Sequence, residues 1–425
     1  MKILIISHTC ISSYNNLGKT FLSLFSGFKK EELCQLYIYP SLPDVDVCNS
    51  YYRVTDKDIR RSLFSLKPPG GVLPKEKVCN GKTAAYEDSK DAALYSRKSN
   101  SSAVVRLLRD AMWKVSHWYT RELRRWVEKE KPTCIFLAPA YAKFVYDIAL
   151  TISKDYAIPI VTYICDDYYF VRKPNSAIEK IQYRLLCKKI EQLMKKTDSI
   201  VAICEEIKEN YTQKFGVPAT VVMTGTTIQA LRNTESDTLR VISYFGNLVY
   251  NRYISLAQVG HTLEQINRTH GRDYCLKIYT NQADRHMHEY FSGIQSVEMC
   301  DFVTGKMFEK AMQQSDFLLH VEAFDEISVD TVKHSVSTKI ADSLASGIPL
   351  IAYAPAEVSS MRHLTRNQCA MTASTQQELY DVLCRAFSDQ ELRNTVVRNA
   401  QRVAAIYHSN QENVNKLRKI LDIKE

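Results

Sequence analysis

The feature that most constrains this chain is an alternation, sustained nearly end to end, of short apolar runs with longer stretches of helical periodicity. A short apolar run bounded by polar residues reads as a strand buried on both faces, and the amphipathic stretch that follows supplies a covering helix. Repetition of that pair specifies a parallel sheet wrapped by helices. In the first half, strands are expected at 2–7, 35–39, 134–138, 160–164 and 199–203, with helices at 18–28, 103–130, 142–154, 176–196 and 204–214. A second series starts near Arg240, with strands at 240–245, 275–280, 296–299, 316–321, 349–353 and 368–371. Its helices fit 253–269, 305–314, 338–346, 376–387 and 389–405. The expected class is α/β: two doubly wound, Rossmann-like lobes over 1–235 and 236–405, with an interdomain cleft and a linker in 226–239. The segment 406–425 carries an amphipathic helix through Val414, Leu417, Ile420 and Leu421, expected to pack back on the first lobe. Residues 50–100 are polar and contain Pro68-Pro69-Gly70-Gly71, so they read as an insertion or mobile region.

Composition narrows the function classes. Gly at 13 and Pro at 12 of 425 residues exclude collagen-like and linker-like designs. No apolar run approaches the roughly 18–20 residues that cross a bilayer. The N-terminal apolar stretch is too short for a signal peptide, so a cytoplasmic protein is expected. Twelve cysteines without a Cys-x-x-Cys pair indicate neither a disulfide framework nor a zinc site. Charge is uneven: residues 1–235 carry a net +11, residues 236–425 a net −2, and the stretch 50–132 alone holds +9. A basic face attracts phosphates, nucleic acid or an anionic membrane, or is simply a solvated surface. With no nucleic-acid module in view, the expectation is no nucleic acid, and peripheral docking at the inner face of a membrane. Within 103–130, Val104, Leu108, Met112, Val115, Tyr119, Leu123 and Trp126 recur at helical spacing and are expected to face the core. Trp113 falls off that stripe and reads as an interfacial anchor.

Three segments carry residues suited to chemistry. In 335–351, Ser337 is a good N-cap, Ile340 and Leu344 share one face, and Gly347 with Pro349 ends the helix. The start of that helix offers free N–H groups to a phosphate at Thr338 and Lys339, and Asp342, one turn in, is placed to accept hydrogen bonds from ribose hydroxyls. The plain alternative is a capped amphipathic helix with a solvent-facing Asp. Gly18-Lys19-Thr20 resembles the end of a phosphate-binding P-loop but lacks its earlier glycine, since position 13 is Ser. Asp166 and Asp167 follow the 160–164 strand at the carboxyl edge, where they serve as an acceptor base, a sugar contact or a helix cap.

Ser337-Thr338-Lys339 and Asp342…Gly347-x-Pro349 resemble the donor-nucleotide signature of family-4-type glycosyltransferases of the GT-B fold, which usually place Glu where this chain has Asp342. Phe245-Gly246-Asn247, followed by Arg252, resembles the first Gly-rich turn of that family's second domain. The resemblance implies a glycosyltransferase, retaining and metal-independent, that moves a sugar from a nucleotide-sugar to a hydroxyl of a glycan or lipid-linked glycan in polysaccharide biosynthesis. It needs no cofactor beyond that substrate. It implies donor contacts at Gly246, Asn247, Arg252, Ser337, Thr338, Lys339 and Asp342, and a sugar contact at Glu322. Asp166 or Asp167 would orient the acceptor or take its proton, and Gly18 and Lys19 would touch a phosphate. Asp325, Glu326 and Asp330 read either as part of a Glu-rich loop or as a solvated acidic one. Two rivals remain: a sugar-nucleotide epimerase of the same fold, and a non-catalytic partner in a polysaccharide assembly complex.

Overall fold

The computed structural model describes every residue except 14, 15, 66, 79–102, 172, 173, 232–239, 282–286, 288 and 423–425. The chain forms two compact units, Met1–Val222 with Asn413–Glu425, and Met223–Glu412. The first boundary therefore falls at 222/223 rather than at 235/236, and the second at 412/413 rather than at 405/406. The reason is hydrogen bonding by the expected linker: Thr226 N–H donates to His408 O (2.9 Å) and Leu231 N–H to Ser346 O (2.8 Å). Asn410 Nδ2 adds a bond to Thr226 O (3.2 Å). The rest of that linker, 232–239, lies outside the described residues.

The first unit holds β1 (Ile3–Ser7), β2 (Leu33–Tyr37), β3 (Ser50–Arg53), β4 (Gly71–Val72), β5 (Cys134–Leu137), β6 (Ile160–Ile164), β7 (Thr197–Ala202) and β8 (Ala219–Val221). They make one sheet in the order β4-β3-β2-β1-β5-β6-β7-β8, parallel except for the β3–β4 pair. β1, β2, β5 and β6 are buried at every position, as continuous apolar runs covered on both faces must be. Residues 50–62, expected to open an insertion, instead belong to the sheet and its covering layer: β3 extends the sheet beside β2, its Tyr51 and Tyr52 are buried, and Thr55 caps the helix Asp56–Ser62. Residues 79–100 of the expected insertion lie outside the described residues. The C-terminal segment returns to this unit, where Val414 packs on Gly27 and Arg418 pairs with Glu32 (3.0 and 3.1 Å) while lying over Phe28.

The expected single helix over 103–130 is two helices, Ala103–Val115 and Arg121–Glu130, with Thr120 capping the second through Leu123 N–H (3.1 Å). The break puts the apolar stripe out of phase. On the second helix Leu123 and Trp126 are buried as expected. On the first the expectation is reversed: Val104, Leu108 and Val115 are 45%, 65% and 65% exposed, whereas Trp113 is 0% exposed. Its indole stacks on Phe144 at 4.0 Å and donates from Nε1 to Asp56 Oδ1 (2.8 Å). Trp113 is a core residue, not an interfacial anchor. Trp113→Ala is expected to cost about 3–5 kcal/mol of stability. Urea unfolding checks this, and an unchanged midpoint contradicts the core placement.

The second unit holds β9 (Val241–Phe245), β10 (Cys275–Thr280), β11 (Val297–Asp301), β12 (Phe317–Val321), β13 (Leu350–Tyr353) and β14 (Met371–Ala373). All pairs are parallel, in the order β11-β10-β9-β12-β13-β14. The strand order reverses between β9 and β12, and the carboxyl edge at such a reversal is where open α/β sheets bind ligands. Apolar clusters cover the sheet on its two faces, one built on Leu256, Leu263 and Ile278, the other on Ile340, Leu344 and Leu350. Among the described residues, no helix is long and apolar enough to cross a membrane.

His363 in this unit is half-buried, its Nε2 is enclosed with no hydrogen-bond partner among the described residues, and desolvation, then His408 and Arg366, pull its pKa down to about 3. The unfolded chain takes up that proton near pH 6.5 while the folded chain does not, so stability falls as pH drops from about 6.5 toward 3. Unfolding midpoints between pH 7 and 5 should decline, and His363→Gln should make the decline smaller.

Candidate active site

The site is built at the β9/β12 reversal. After β9 the chain turns through Gly246–Asn251 into the helix Arg252–His270. A Cβ on Gly246 would meet Tyr244 Oη at 2.5 Å, and the Gly246 N–H already donates to Tyr279 O (3.1 Å). This glycine is therefore required by the tyrosine beneath it, and its N–H is committed to the protein. Tyr250 and Asn251 both adopt left-handed backbone, φ 55° and 56°. Left-handed backbone costs a side-chain-bearing residue about 1–2 kcal/mol, and consecutive cases persist only when the surroundings enforce them. Here Asn251 Nδ2 donates to Asp325 Oδ2 (3.0 Å).

That turn delivers Arg252 to Glu322, the first residue after β12. Arg252 Nε donates to Glu322 Oε2 (2.7 Å), Nη2 to Oε1 (3.0 Å), and Nη1 to Asn247 Oδ1 (2.7 Å). The Glu322 carbonyl accepts from Ser255 Oγ (2.9 Å). Burial alone would lower the Arg252 pKa, but the Glu322 carboxylate and its hydrogen bonds raise it. His320, on β12, lies 3.8 Å from Glu322 Oε1 and 3.2 Å from Ser360 Oγ. Burial lowers its pKa and Glu322 opposes, while Arg252 and Lys339 lower it further, so the ring is neutral at pH 7. Asp325 is not a free loop carboxylate: it also accepts from Ser328 N–H (3.0 Å) and so caps the helix Glu326–Val332. Burial would raise its pKa, but Asn251 and Ser328 hold it below the usual range. The short helix occupies the long gap between β12 and Thr338. No apolar period announced it, because Glu326-Ile327-Ser328-Val329-Asp330 alternates like a strand.

The helix Thr338–Ala345 begins in the β12–β13 crossover. Ile340 and Leu344 are buried on it, and Gly347 follows it at φ 77°, a conformation that favours glycine. Ser337 occupies the N-cap position, yet its side chain makes no capping hydrogen bond. Lys339 is half-buried. Asp342 Oδ1 accepts from Thr226 Oγ1, itself an acceptor for Ile228 N–H (3.0 Å). Thr226 is a site neighbour that sequence reasoning had assigned to the linker. Asn251, His320 and Ser360 likewise carried no sequence signal. Arg252, Asn247 and Glu322 are thus brought together, and Lys339 acts electrostatically on the His320 beside them.

The other expected residues belong to the first unit, whose own reversal falls between β1 and β5. Gly18 is buried on the helix Asn16–Leu24, and a Cβ there would meet the Ser12 backbone at 2.6 Å; Lys19 is exposed. Asp167 Oδ1 accepts from Tyr169 N–H (2.9 Å), Phe170 N–H (3.0 Å) and Tyr211 Oη (3.2 Å), which makes it a turn-forming carboxylate. Asp166 is exposed, with Tyr168 Oη at 3.4 Å. Among the described residues no group of three or more His, Cys, Asp or Glu is placed to hold a metal ion.

No protein-family model and no curated protein matches the sequence. Solved structures do resemble the chain. Sucrose-phosphate synthase from Thermosynechococcus elongatus matches with a TM-score of 0.61 at 11% identity, over 99% of this chain and 98% of that one. Anabaena HepE, solved in complex with UDP-glucose, gives 0.60 at 11% identity over 99% of both chains. WaaG, a glycosyltransferase involved in lipopolysaccharide biosynthesis, gives 0.55 at 10% over 100% of both. The chain has the GT-B fold of these proteins, two Rossmann-like units with parallel sheets.

Removing one partner of a buried ion pair strands the other. Glu322→Ala or Arg252→Ala alone should therefore cost about 3–5 kcal/mol, and the double variant much less than the sum. A double-mutant cycle in urea checks this, and additive losses contradict the pairing.

Proposed function

We propose that the chain is a glycosyltransferase that moves a sugar from a nucleotide-sugar to a hydroxyl of a glycan or lipid-linked glycan. The observation that carries this reading is the convergence at one sheet reversal of a buried Arg252–Glu322 pair, a strained turn that holds it and the nearby uncapped helix of Thr338. An uncapped helix N-terminus supplies N–H groups and a positive dipole end to a diphosphate, and Lys339 adds a cation in the first turn. Arg252 has five N–H donors; three are used within the protein, which leaves two for phosphate oxygens without breaking the pair. These groups would stabilise the charge that develops on the leaving diphosphate. Glu322, fixed in place by Arg252, would orient the sugar, and Asp342 beside Thr226 would hold the ribose.

In the first unit, Asp166 suits the acceptor role better than Asp167, whose Oδ1 already accepts three hydrogen bonds. Gly18 lets the first helix lie close to Ser12, and Lys19 would offer a cation to a substrate phosphate. Transfer would retain anomeric configuration and proceed without a metal, as the sequence resemblance implies. That HepE was solved with UDP and UDP-glucose supports testing UDP-sugars first.

Thermal-shift measurement across a nucleotide-sugar panel should reveal a stabilising donor. Asp342→Ala should weaken that donor by about 1–3 kcal/mol, the scale of a lost hydrogen bond to a charged group. No stabilisation by any donor would favour the non-catalytic reading, and conversion of donor without acceptor would favour the epimerase.

A further inference from the structure

We propose that the outward faces of three first-unit helices, Asp56–Ser62, Ala103–Val115 and Ala177–Met194, form a docking surface for an anionic lipid bilayer. The middle helix packs on both others, so the three make one layer. Helix 103–115 is turned inside out relative to an ordinary surface helix. Its Arg109 points inward to Asp56 (2.8 Å) and its Arg106 to Gln182 (3.0 Å), while Leu108 and Val115 face outward. Helix 177–194, although its inward side is apolar, also exposes Ile178, Ile181 and Leu185 at helical spacing, and Phe64, just beyond the first helix, is 88% exposed. Large apolar side chains exposed on neighbouring helices of one layer point to an interaction site rather than ordinary surface.

Charge decides the occupant. Every carboxylate on the three helices is engaged within the protein. Asp56 holds Arg109 and Trp113, Asp58 closes the Thr55 cap, and Asp110 pairs with Lys143. Glu179 accepts from Asn175 N–H and Glu191 from Tyr169 Oη. The exposed charges left on these helices are all basic, among them Arg60, Arg61, Lys114, Lys180, Arg184 and Lys188. A second copy of the same face would set cation against cation, whereas an anionic bilayer accepts both the apolar side chains and the Lys and Arg around them. The sequence-based expectation of a basic membrane face thus gains a location, and it is not the tryptophan. This surface lies in the first unit and does not depend on the donor chemistry proposed for the second.

Cosedimentation of the full chain with vesicles tests the proposal. Partitioning onto phosphatidylglycerol/phosphatidylcholine vesicles should exceed that onto pure phosphatidylcholine by at least about tenfold and should fall in high salt. Leu108→Glu with Ile181→Glu, and separately Lys180→Glu with Arg184→Glu, should each reduce partitioning about tenfold or more. Arg398→Glu with Arg402→Glu, on an exposed face of the second unit, should leave it unchanged. All of these positions are exposed, and circular dichroism verifies that each variant is folded. Absent binding, equal binding to neutral and anionic vesicles, or indifference to both first-unit variants would overturn the proposal. So would a dimer in sedimentation velocity that Leu108→Glu abolishes, since a second copy would then cover the face.

Discussion

Two opposite charges placed where a sheet reverses direction impose most of the other choices in the second unit. Arg252 and Glu322 are held in low-dielectric surroundings, where either charge alone would be costly, so each must find the other in a two-pronged geometry. Meeting that demand requires the chain after β9 to turn sharply enough to bring the first residue of its helix against the first residue beyond β12. Two consecutive left-handed residues provide the turn, and Asn251 is tied to Asp325 to keep it. Ser255 and Asn247 complete the shell. The strain in the turn is thus offset by the charge pair and its hydrogen bonds.

The same arrangement separates residues that maintain the site from those available to a ligand. Gly246 is explained by Tyr244 beneath it, Asp325 by a turn and a helix cap, and Asp167 by three donors of its own neighbourhood. What remains open to chemistry is narrower than the polar content of the sequence suggests. In the second unit it includes the two N–H donors of Arg252 beyond the three used within the protein, and the first turn at Thr338, where Ser337 makes no capping bond. A carboxylate that answers to backbone N–H groups is poorly suited to take a substrate proton, because those bonds favour its charged form.

Helix 103–115 shows how a polar network can turn an amphipathic helix around. Asp56 is buried and needs donors; Trp113 Nε1 and Arg109 supply them from one side of that helix. Once that side faces inward, Leu108 and Val115 have no choice but to face outward. Stacking of Trp113 on Phe144 adds a large apolar contact to the inward side, so the reversal does not forfeit core packing.

Strand and helix positions in both units were readable because a central parallel strand must be apolar at every position and its covering helix must repeat every 3.6 residues; both are local properties of the chain. The capping and termination of the helix at Thr338 by Ser337 and Gly347 were readable in part for the same reason, although Ser337 makes no capping bond. The outlying strands β3, β4 and β8 were not readable, since runs of two to four residues are too short to carry a distinctive pattern. Nor could periodicity say which side of helix 103–115 is inside. Apolar residues occupy both sides, and the choice was made by Asp56 and Phe144, which are distant in sequence. The pairing of Arg252 with Glu322 has the same character: seventy positions apart, they meet only because β9 and β12 become neighbours when the strand order reverses. Sequence specified the central strands and most of their covering helices, and tertiary structure decided the outlying strands, the buried side of helix 103–115 and which charges would have to neutralise one another.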